Sequence, residues 1–247
     1  MPDIAGYRAK IGVIIPSTNT LVEADFNALR IPGVTFHAGR MYIEQPSLAS
    51  DADFERLLEQ VGAAFETALR DVLTCKPDHI AMAMSAPTFW GGKAGNERFL
   101  QRAGELTRLA VTTGAHSCRL ALERFGAHRI AVLTPYQPIM REQIVRYFDE
   151  VGFDVVSYLD LRCESATAIA EVGPDVLRDA VLSLNKPDVE AIVQAGTNLS
   201  MVGLANDLEL ELGKPVIAIN AAIVWNAYRS LGFDDRLSKA GRVLREL

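Results

Sequence analysis

"VLTCKPDHIAMAMSA" (residues 72–86) and "VLSLNKPDVEAIVQAGT" (residues 181–197) are two versions of one local design. Each ends an apolar-periodic segment, turns at Lys-Pro-Asp, and continues as a short, nearly unbroken apolar run. Such a run leaves no face for water and reads as a strand buried on both sides of a parallel sheet. A second echo links "IGVIIPSTN" (11–19) to "IAVLTPYQP" (130–138), each a strand that ends in proline. The two pairs are offset by 110 and 119 residues, so the chain reads as two homologous halves separated by ordinary loop-length differences.

Around these repeats, β-rich runs alternate with longer amphipathic ones, the signature of βα units. Strands are predicted at 10–16, 34–41, 79–85, 129–135, 154–161, 190–196 and 215–220. The stretches 51–73, 112–126 and 174–185 carry apolar residues at i, i+3, i+4 and i+7 and predict helices, with Gly126 as a C-terminal stop. The expected fold is α/β, with two pseudo-symmetric lobes, each a parallel four-stranded sheet flanked by helices, and a ligand cleft between them. The first lobe is placed at 1–117, with 221–247 packing back on it, and the second at 118–220.

Composition narrows the function. With 247 residues, 49% of them hydrophobic, the chain can bury a substantial core, which excludes a disordered protein. A net charge of -6 with scattered basic residues argues against nucleic-acid and membrane partners. No apolar run is long enough to span a bilayer, and the first ten residues lack the apolar core of a signal peptide, so a cytoplasmic protein is expected. Three unpaired cysteines fit a reducing compartment, and four dispersed histidines supply no metal motif.

In open parallel sheets, ligands sit beyond the carboxyl ends of the strands. Four such ends are rich in hydroxyls and amides: "PSTNT" (16–20), "MSAPT" (84–88), "TPYQP" (134–138) and "GTNLS" (196–200). Ser, Thr and Asn are ordinary helix caps one loop at a time. Four coincident loops point instead to a cleft for an anion, most simply a carboxylate.

These segments resemble the Asp/Glu racemase superfamily, and within it the branch of maleate cis-trans isomerases and arylmalonate decarboxylases. The resemblance rests on "IGVIIPSTNTLVEADF", "RIAVLTPY" and "QAGTNLS" and extends over roughly residues 10–225. It implies cofactor-independent chemistry on a small carboxylate or dicarboxylate, by thiol nucleophiles or thiol acid/base groups. Counted from "FWGG" and "TNLS", the two thiol positions fall on Met84 and Gly196. Cys75 and Cys118 read as small buried hydrophobes, and Cys163 as the one thiol worth testing.

The residues expected to bind substrate are Pro16, Ser17, Asn19, Thr20, Met84, Ala86, Gly196, Thr197 and Asn198. Ser85 and Tyr136 are the candidates to donate or relay protons, with His116 as the nearest candidate base. Three readings follow: an enzyme that works without sulfur by decarboxylation, isomerisation or hydrolysis, a carboxylate-binding protein, or a fold kept for packing. Phe89 and Trp90 read as an apolar wall of the cleft or as core anchors. "AAIVWNAYRSLG" (221–232) is apolar on more than one face and predicts a homodimer or larger assembly.

Overall fold

A computed structural model describes residues 3–44 and 47–247. The first lobe contains β1 (Ala9–Pro16), α1 (Val22–Ala28), β2 (Val34–Met41), α2 (Asp51–Leu73), β3 (His79–Met82), α3 (Ala86–Phe89), α4 (Gly92–Thr107) and β4 (Val111–Thr113). After α5 (Gly114–Phe125) come β5 (Arg129–Thr134), α6 (Ile139–Glu150), β6 (Asp154–Asp160), α7 (Pro174–Leu184), β7 (Ala191–Gln194), α8 (Val202–Leu212) and β8 (Val216–Ala218). The chain finishes with α9 (Ile219–Ser230) and α10 (Gly241–Glu246).

The repeat seen in the sequence is a repeat of topology. One sheet has the order β2-β1-β3-β4 and the other β6-β5-β7-β8, all strands parallel. The central strands β1, β3, β5 and β7 are almost wholly buried, as their continuous apolar runs require. In α2, Phe54, Leu57, Val61, Phe65, Ala68, Leu69 and Val72 form the buried stripe, and a reciprocal Ser50–Asp53 capping box starts the helix. Gly126 ends α5 with φ of +66°, a conformation that favours glycine.

Two expectations need correction. The segment 112–126 is not helical throughout: Val111–Thr113 forms the edge strand β4, too short to show a period of its own. The helix α9 is apolar all round because it is enclosed within this chain. Residues Ile219 to Tyr228 are all buried, packed against α1, β3, β4, α5, β8 and α10. Its apolar faces therefore give no reason to expect a second subunit. The final helix, α10, seats on α8, β8 and α9, where the buried Glu209 accepts from the backbone N–H groups of Val216 (3.0 Å) and Arg242 (2.6 Å). Among the described residues no helix is long and apolar enough to cross a membrane.

Candidate functional site

The carboxyl ends of β1, β3, β5 and β7 converge, and side-chain hydrogen bonds cross between the lobes there. The turn after β1 is clamped by Arg40 of β2, whose guanidinium donates to the carbonyls of Ser17 (2.9 Å) and Asn19 (2.7 Å) and pairs with Glu23. Within this held turn, Asn19 Oδ1 accepts from the N–H groups of Leu21 (3.0 Å) and Val22 (2.9 Å), capping α1. Its Nδ2 donates across the cleft to Thr197 Oγ1 at 3.3 Å. On the opposite side, Ser85 after β3 and Tyr136 after β5 share a hydrogen bond between their buried hydroxyls. The two bonds are counterparts: the end of β3 meets that of β5, and the end of β7 meets that of β1.

Between them lies a cavity of about 50 Å³. Its polar lining comes from Thr18, Asn19, Ser85, Tyr136, Thr197 and Asn198, beside Pro16, Met84, Ala86 and Pro87. Leu48, Leu57, Leu58, Val61, Ala166 and Ile169 complete it with an apolar face. The Leu48 N–H donates to the carbonyl of Glu164 (2.8 Å), and Ser47 bridges Ser165, tying the β2–α2 connection to the second lobe. At roughly 10–15 Å³ per water the cavity holds a few waters.

Three expected binding residues take other places. The Ser17 hydroxyl accepts from the Ile43 N–H (3.0 Å) and fixes the β2–α2 connection. Thr20 turns its side chain to solvent, while its backbone N–H donates to Asn198 Oδ1 at 3.0 Å. Gly196 sits behind the lining, where a Cβ would stand 2.6 and 2.7 Å from the Pro135 ring. Phe89 is fully buried against Tyr147 and Phe148, and Trp90 stacks on Phe54; neither lines the cavity. His116 faces a separate cleft with Lys93, Arg119 and Tyr147.

The lining is built to donate. Asn19 Oδ1 is occupied by two backbone N–H groups, and Asn198 Oδ1 by those of Thr20 and Leu21 (3.3 Å). Asn198 Nδ2 holds the Ala166 carbonyl at 2.9 Å, and Thr197 Oγ1 accepts from Asn19. What remains for a ligand includes a second amide proton on each asparagine and the hydroxyls of Thr18 and Thr197. Such a surface suits an oxyanion. Burial pushes the Tyr136 phenol up to about 12, partly offset by its bonds to Ser85 and the Ala86 backbone, so it stays protonated at neutral pH. Burial also raises the thiols of Cys118 and Cys163, and neither lines the cavity. Among the described residues no cluster of three His, Cys, Asp or Glu could hold a metal ion.

Sequence reasoning missed Arg40 and Asp25 and did not count Thr18 or Asn220 among the binding residues. Thr18 stood within the loop already singled out. Arg40 lies mid-strand, where nothing in a single sequence distinguishes a clamp from a solvated charge. The family profile for arylmalonate decarboxylase matches residues 11–244. The chain belongs to that family. It is 28% identical to a maleate isomerase of Pseudomonas putida, over 95% of this chain and 96% of the relative. It is 24% identical to an arylmalonate decarboxylase of Bordetella bronchiseptica, over 90% of each chain. Its fold matches that of a cysteine-to-serine variant of the Nocardia farcinica maleate cis-trans isomerase with a covalently bound succinylcysteine intermediate. There the TM-score is 0.87 at 24% identity, over 96% of this chain and 98% of that one. The arylmalonate decarboxylase family thus supplies the two-lobe α/β frame in which these loops meet.

Proposed function

We propose that the chain is a cofactor-independent enzyme that decarboxylates a small malonate-like dicarboxylate without using a thiol. The observation that carries this reading is a lining whose asparagine oxygens are already engaged, so that amide and hydroxyl protons face the ligand beside the buried Tyr136 phenol. The second amide protons of Asn19 and Asn198 and the Thr197 hydroxyl would hold one carboxylate, while the apolar face desolvates the other. Breaking the carbon–carbon bond releases carbon dioxide and leaves the electron pair on an enediolate, which the same donors stabilise. Tyr136, in contact with Ser85, then gives its proton to carbon and recovers one from solvent.

The balance of groups favours this over the alternatives. A phenol held near 12 gives a proton but does not take one at pH 7, so deprotonation chemistry lacks a base. Isomerisation by nucleophilic addition needs a thiolate, and the resemblance places Met84 and Gly196 where the family's thiols would be. Hydrolysis needs a base to activate water, and no His, Asp or Glu lines the cavity among the described residues. The names of the relatives, maleate isomerase and arylmalonate decarboxylase, support an enzyme on small carboxylates.

A second reading is carboxylate binding without turnover, favoured by the Ser85 and Tyr136 hydroxyls already satisfying one another. Proton NMR in deuterated buffer, with substituted malonates, maleate, hydantoins and amino dicarboxylates, separates the two. Carbon dioxide loss with deuterium placed at carbon, surviving Cys163→Ala, is the expected result. Line broadening without product establishes the binding protein, and neither effect overturns both readings.

A further inference from the structure

Beneath the cleft lies a polar chain that the proposed chemistry does not use. Asp25 on α1 accepts from Asn220 Nδ2 at 2.7 Å, and the other Nδ2 proton of Asn220 goes to the Thr197 carbonyl at 2.9 Å. Both N–H groups thus have acceptors, one in each lobe. Asn220 Oδ1 is buried without a partner, a placement that costs free energy unless something fixes the amide that way round. The fixing group is Asp25: turning the amide over would set its carbonyl against a carboxylate and a backbone carbonyl. With the Thr197 carbonyl held and its Oγ1 accepting from Asn19, the hydroxyl proton is left for a ligand.

We infer that Asp25 is a positioning residue, which through the Asn220 amide sets Thr197 to donate into the cleft. The inference rests on the reading of the cleft as a carboxylate site. Asp25 stands without an ion pair among the described residues. On its own helix Glu23 is bound to Arg40. On β2, Arg40 holds the 17–19 turn and His37 bonds Thr35; on α9, Arg229 holds the carbonyls of Phe233, Asp235 and Leu247. Burial alone pushes the Asp25 carboxyl up, to about 6, against a small opposing effect of the Asn220 bond.

The sign of the linkage makes the role separable from a structural one. A carboxyl raised from 3.8 to about 6 contributes stability that is full below pH 3.8 and is lost as pH rises through 6. At pH 8 the ionised Asp25 is a burden on the fold. Asp25→Asn should therefore match or exceed the wild-type Tm at pH 8, while its affinity for malonate falls roughly fivefold to twentyfold. Because malonate itself titrates, the variant-to-wild-type ratio is read at each pH, and it should approach one near pH 5. A ratio that is flat from pH 5 to 8 would overturn the inference.

The ligand-free protein gives the independent readout. Side-chain amide NMR signals of Asn19 and Asn220 should move with a midpoint near pH 6 in the wild type and stay still in Asp25→Asn. Signals that do not move in the folded wild type, or that still move in the variant, would overturn the coupling. If they behave as expected and malonate binds neither protein, the carboxylate reading fails while the Asp25–Asn220–Thr197 coupling stands.

Discussion

The Ser85–Tyr136 and Asn19–Thr197 contacts sit on equivalent strand ends of equivalent sheets and differ in chemistry. Ser85 and Tyr136 join hydroxyl to hydroxyl, so either can carry the proton between them. Asn19 and Thr197 join amide to hydroxyl, with every acceptor engaged and the direction of donation fixed. In the proposed chemistry one contact gives a proton and the other holds an anion. A duplicated fold supplies symmetric positions, and function requires that they diverge.

The largest effect is expected from breaking the protic contact. Tyr136→Phe keeps the ring against Phe54 and removes only the hydroxyl. Loss of a general acid lowers turnover by about 10²–10⁴-fold, measured as initial rate of product by NMR, with affinity for substrate little changed. Equal activity would show that the proton comes from elsewhere. Breaking the other contact should invert the pattern. Thr197→Val removes a donor to a charged ligand, worth about 1.5–3 kcal/mol and so roughly a tenfold to hundredfold weaker binding. Calorimetry with the turnover substrate checks this. If both variants lose rate alone, the division of labour between the contacts is wrong.

A third test concerns why the second lobe carries glycine before Thr197. Gly196→Cys places a side chain where the Pro135 ring already stands, and overpacking of this kind costs about 1–3 kcal/mol. The expected outcome is a lower denaturation midpoint in urea with no gain in activity. A fully stable variant would mean that Pro135 yields easily and that the glycine answers to something other than packing.

The sheets were legible because their strands are buried on both faces, and burial writes itself as uninterrupted apolar sequence. The strand ends were legible because hydroxyls and amides cluster there. The division of labour among those polar residues was not. Nothing in "PSTNT" tells Ser17, which holds the Ile43 backbone, from Asn19, which faces the cleft; that depends on where β2 and α2 run. The helix α9 misled for a related reason. An all-round apolar helix signals burial, and the sequence does not say whether the cover is another copy or, as here, the two lobes of the same chain. Asp25 and Asn220 lie 195 residues apart, and single-sequence patterns carry no information about such a meeting.

The smallest expected effect bears on the thiol that the sequence left open. Cys163 is buried beside Tyr136, and its backbone is in use: its N–H donates to the Pro135 carbonyl (2.9 Å), and its carbonyl accepts from Gln137 Nε2 (3.2 Å). Burial raises the ionisation of the sulfur, offset in part by a backbone hydrogen bond, so the thiolate needed for nucleophilic work is disfavoured. Cys163→Ala keeps both backbone bonds and should leave turnover within about twofold, whereas trimming the side chain costs about 1 kcal/mol. A loss of two or more orders of magnitude in rate, with folding intact, would return sulfur to the mechanism and make the Ser85–Tyr136 contact a support for it. Either outcome bears on the same comparison, because Cys163 lies on the protic side of the cleft and has no counterpart on the other.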